Sequence, residues 1–72
     1  MNRFLRELEK QLESLQILEE MAQSKRDNYE ALLQDDPDDQ EMQDRLSFFE
    51  DAVSTLEDAV ESLQELVDAH KG

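Results

Sequence analysis

The chain has 72 residues, room for one domain at most, and a domain this short buries too little surface to be comfortably stable without disulfides, a metal or a partner. It has no cysteine, which removes disulfides, thiolate zinc sites and thiol catalysis together. Twenty Asp and Glu against seven Lys and Arg give a formal net charge of −13, which argues against direct binding to nucleic acid or to anionic membranes, both of which repel such a chain.

The opening residues mix Arg3, Arg6, Glu7, Glu9 and Lys10 with apolar side chains, unlike a signal-peptide core, and no apolar run reaches membrane-spanning length. A cytoplasmic location is the expectation. Residues 1–72 read as a single helical-hairpin domain, with helix one over about residues 2–34, a turn at 35–37 and helix two over about 37–70.

In helix one, Leu5, Leu8, Leu12, Leu15, Ala22, Tyr29 and Leu33 recur at the alternating three and four spacing of heptad positions a and d, with Phe4, Leu18 and Leu32 at g. Two a positions, Glu19 and Arg26, are polar. They stand two helical turns apart, too far for a direct pair, so each is expected to reach another chain or to snorkel outward. Ile17 at f, with Met21 at c, is apolar where water is expected and marks a possible partner face, shared with Phe48 at c of helix two.

The turn is signalled by the single proline, Pro37, within the segment QDDPDDQ at 34–40. A residue before proline is pushed out of the helical region, which makes Asp36 the expected N-cap of helix two and places Pro37 at the first helical position. Asp38 and Asp39 then fall in the first turn, where the positive end of the helix dipole favours carboxylates.

Helix two carries the cleaner seam. Leu46, Val53, Val60 and Val67 stand at a, and Met42, Phe49, Leu56 and Leu63 at d, with Ala52, Ala59 and Leu66 at g. This three-position stripe suits a helical bundle better than a two-stranded coil. Asp44, Asp51, Asp58 and Glu65 line the opposite face at f, and the half from residue 35 onward holds thirteen acids against two bases. If the hairpin folds symmetrically about Pro37, Leu15 meets Val60, Leu8 meets Val67, and Arg26 lies near Phe49.

No pattern for catalysis or for a cofactor emerges. His70, the one histidine, has no local nucleophile or ordering partner and suits a helix C-terminus beside Lys71. The sequence lacks the Glu-x-x-His of di-iron bundles, and with Gly72 as the sole glycine neither a phosphate loop nor an EF-hand can form. No metal ligand set is expected.

The fold class read from the sequence is therefore all-α, an antiparallel two-helix hairpin that dimerises into a four-helix bundle. In length and layout such a hairpin resembles the small helical-hairpin co-chaperones of type III secretion needles and the plasmid copy-control bundle proteins, although the basic RNA-binding face of the latter is absent here. The expected function is a non-enzymatic protein–protein interaction module, an adaptor, assembly factor or small chaperone-like protein. Its expected partner is a second copy, or another protein's amphipathic helix. The alternative is an acidic inhibitor that imitates nucleic acid and occupies a basic nucleic-acid-binding protein.

Overall fold

The computed structural model describes residues 2–71, which form helix α1 (Asn2–Asp35) and helix α2 (Gln40–Lys71) with no strand between them. The two rods lie antiparallel in a hairpin 52 × 15 × 14 Å in extent. Both are far longer than the dozen or so residues at which an isolated helix becomes marginal in water, yet in proteins it is the packing of one apolar face that holds a helix. Here that face is the predicted seam.

Val67 and Val53 are buried, at 1% and 4% exposure. On α1, Leu12 and Ala22 are buried as well, and these four residues mark the hairpin's narrow core. The remaining a and d residues, Leu5, Leu8, Leu15, Tyr29 and Leu33 on α1 and Met42, Leu46, Phe49, Leu56, Val60 and Leu63 on α2, are half-buried. Two cylinders touch along a line, so only the innermost atoms of each seam residue leave water.

The turn differs from the sequence expectation. Helix α1 runs one residue further, and α2 begins at Gln40, not at Pro37. The Asp36 amide donates to the Leu32 carbonyl at 3.2 Å and closes the last turn of α1. The Asp39 amide then donates to the Asp36 carbonyl at 3.3 Å, making a four-residue reversal with Pro37 second, where its fixed φ is suited. The N-cap is Asp39, not Asp36: its Oδ1 accepts from the Met42 amide at 3.1 Å while its carbonyl accepts from the Gln43 amide at 3.0 Å. The Gln43 side-chain amide also donates to the Pro37 carbonyl at 2.6 Å. A helix restarting at Pro37 would leave Asp36 alone to span axes that pack about 8–10 Å apart, so the proline serves the reversal and the capping passes three residues along.

The register also shifts. Phe49 stacks on Tyr29, with ring centroids 5.7 Å apart and planes at 14°, one helical turn along from the Arg26 that symmetry about Pro37 sets nearest to it. Side chains on a helix lean toward its N-terminus. In an antiparallel pair this moves α1 contacts away from the turn and α2 contacts toward it, so partners lie beyond backbone symmetry about Pro37, as Tyr29 with Phe49 and Glu9 with Lys71 do. Arg26 instead snorkels along its own helix, to Asp27 at 3.3 Å and Glu30 at 4.0 Å.

Asp39→Ala should therefore cost about 1 kcal/mol, the usual worth of an N-cap, and Asp36→Ala distinctly less. Thermal melts followed by circular dichroism will rank the two, and an equal or reversed ranking would return the cap to Asp36. Val53→Asp buries a carboxylate in the seam at a cost of several kcal/mol, and should abolish the cooperative melt. A variant that kept wild-type helicity and melting would refute the seam.

Candidate interaction surface

Reversing one helix of a packed pair makes like flanks meet, so in this hairpin the e rows of α1 and α2 border one side of the seam and the g rows the other. The Lys71 ammonium, at e, lies 3.6 Å from the Glu9 carboxylate, also at e, as that arrangement requires. The e side is polar throughout: Glu9, Gln16, Gln23 and Glu30 on α1, and Gln43, Glu50, Glu57, Gln64 and Lys71 on α2.

The g side has the opposite character. Helix α1 contributes Phe4, Gln11, Leu18, Lys25 and Leu32, and α2 contributes Arg45, Ala52, Ala59 and Leu66, so no acid stands at any g position. The adjoining c rows add Met21 and Phe48. Across the g and c positions of residues 4–32 and 41–69, Glu7 and Glu41 are balanced by Lys25 and Arg45. The other eighteen acids lie on the seam, at the turn or on the remaining faces.

Exposure follows the same division. Ala52 and Ala59 are half-buried, but Phe4 and Phe48 are 65% and 64% exposed, Met21 56%, and Leu18, Leu32 and Leu66 are also exposed. Leu18, expected to join the packed stripe, instead stands outside the hairpin seam. Half-buried Glu9 and Gln23 show the reason: α1 is rolled toward its e flank, which turns its g row outward. Ile17 at f continues this strip onto the back of α1, where a shallow hollow of about 340 Å³ is lined by Ile17, Glu20, Met21, Ser24 and Lys25. Among the described residues seven large apolar side chains are thus exposed, and six of them share one flank.

An aromatic group anchors the turn end of that flank. Phe48 meets Phe49 edge to face at 5.1 Å, and the Arg45 guanidinium donates to the Tyr29 hydroxyl at 3.4 Å and to Glu41 Oε1 at 2.7 Å. The Tyr29 hydrogen bond, and then the Glu41 charge, push the Arg45 pKa further up, so Arg45 stays charged at any working pH.

The predicted acidic row Asp44, Asp51, Asp58 and Glu65 is exposed along α2. His70 is exposed near the end of α2, its Nδ1 3.0 Å from the Leu66 carbonyl. Among the described residues no group of three or more His, Asp or Glu is placed to hold a metal ion, and no helix is long and apolar enough to cross a membrane. No protein family, curated protein or solved structure matches the chain.

The ion pairs, such as Glu7 with Lys10 at 3.5 Å, join side chains that are exposed or half-buried, and pairs near the surface contribute little. Repulsion within a chain of net charge −13, including Glu57, Glu61 and Glu65 four residues apart, outweighs them. Raising sodium chloride from about 20 to about 200 mM should stabilise the fold by about 1 kcal/mol, or about 4–8 °C in Tm. A Tm that falls over that range would show that attractive pairs dominate.

Proposed function

We propose that this protein is a non-enzymatic protein–protein interaction module, an adaptor, assembly factor or small chaperone-like protein, that binds through its amphipathic helical hairpin. The observation that carries this reading is the charge-balanced apolar flank of Phe4, Leu18, Met21, Leu32, Phe48 and Leu66 on a chain that is otherwise strongly acidic. A soluble monomer scatters single apolar side chains over its surface, whereas a contiguous strip marks a place where another molecule sits. Two further helices laid on that flank, from a second copy or from another chain, complete a four-helix bundle.

The second reading, an acidic decoy of nucleic acid, draws on the exposed row Asp44, Asp51, Asp58 and Glu65. Seven-residue steps space these carboxylates about 10 Å apart, against about 3.4 Å of axial rise per phosphate in one DNA strand. The row imitates a phosphate backbone poorly unless Glu50, Glu57 and Glu61 fill the gaps, and it ranks second for that reason.

Cross-linking of the tagged chain in extract of its source cells, in low and in about 0.5 M sodium chloride, separates the two. The module reading expects protein adducts that survive salt and are lost in Phe48→Glu. Adducts lost in salt and indifferent to Phe48→Glu would replace it with the decoy. An absence of adducts in both conditions would overturn both readings.

A further inference from the structure

Resting on the interaction-module reading, we infer that the partner on this flank is a second copy of the chain, with α1 of each copy packed antiparallel on α2 of the other. Area is the first argument. A compact monomer of 8.4 kDa exposes about 4,600 Å², whereas this hairpin exposes 5558 Å². The excess, about 950 Å², slightly exceeds the roughly 800 Å² that each partner contributes to a standard interface. The flank itself, along a hairpin of 52 × 15 Å, offers a footprint of about 780 Å² per copy, so one face-to-face contact removes the excess.

Charge is the second argument. Two copies together carry twice −13, and self-association is unfavourable wherever acids meet. The g flank is the one long face of the hairpin where they do not, because its only charged g residues are Lys25 and Arg45. Pairing there keeps the f and e rows of both copies turned outward, toward solvent and counterions.

Size and charge then select the arrangement. The g row of α1 is large, with Phe4, Leu18 and Leu32, while that of α2 is small at its centre, with Ala52 and Ala59. Bundle helices hold a nearly even spacing, which large side chains achieve by packing against small ones. A two-fold axis parallel to the helices sets α1 of one copy over α2 of the other and gives that match. An axis across the helices would pair large with large and small with small, and would bring the two acidic helices side by side. The Tyr29–Phe49 and Glu9–Lys71 contacts place Leu18 level with the turn of α2 that holds Ala59, so Leu18 of one copy meets Ala59 of the other, and Phe48 packs near the partner copy's Leu32.

Light scattering of the full chain over a dilution series should return twice the 8.4 kDa monomer mass, with Tm rising with concentration. Leu18→Glu, which enters a two-fold interface twice, should weaken dimerisation by about 100-fold or more. Because dissociation and unfolding are coupled in a chain this small, cysteine pairing supplies a readout independent of stability, and the sequence has no cysteine of its own. Mixed Leu18→Cys and Ala59→Cys chains under mild oxidation should yield the 18–59 heterodisulfide in preference to either homodisulfide. Dominant Leu18→Cys homodisulfides would overturn the arrangement. A helical monomer at all concentrations would overturn self-pairing itself, while salt-resistant adducts to another protein in the cross-linking experiment would still uphold the module reading.

Discussion

Everything in this structure depends on the line of contact between two long antiparallel helices. Helices pack along one stripe each, and a pair of them has no second layer to enclose that stripe. Among the described residues four, Leu12, Ala22, Val53 and Val67, are buried as a result, and the flanking large side chains are shared between partner helix and water. A globular protein of this size gains most of its stability from removing apolar area from solvent. The hairpin removes less than its sequence offers, which is why its unsatisfied flank matters more than any single contact within it.

The flank owes its character to segregation of charge around the helices. Apart from Glu7 and Glu41 at c, Glu19 in the seam and the aspartates of the turn, the acids occupy the b, e and f rows, where they are hydrated and repel one another only through water. Their absence from the g rows is not explained by solubility, since an acid at g would serve solubility as well as one at f. It fits the pairing proposed for that flank, where water would be excluded and an unpaired carboxylate costly. The two bases at g fit the same account, Arg45 being held by Tyr29 and Glu41 at the edge of the aromatic group.

Much of the fold was legible in the chain. The heptad rows of α2 name the residues that pack, Val53 and Val67 above all, because a repeat of alternating three and four places side chains on one stripe whatever lies opposite. The turn was legible as a turn and misread in detail: a proline signals both a helix start and a reversal, and Asp36-Pro37 satisfies the local rule for either. Of the candidate surface, Ile17, Met21 and Phe48 stood out as apolar residues in polar rows. Leu18 did not, because at g its burial depends on how far α1 is rolled about its axis, and no local pattern records that angle.

The sequence by itself determined the helices, their apolar stripes and the acidic outer row of α2, since periodicity and charge are properties of one helix at a time. Tertiary structure decided what depends on two helices together. Asp39 became the cap because the span between axes needs a reversal before α2 can begin. Tyr29 became the partner of Phe49 because side chains lean toward the N-terminus of each antiparallel helix. The e and g flanks parted into a polar and an apolar side because chain reversal brings like rows together, and only that juxtaposition turns scattered apolar residues into a surface.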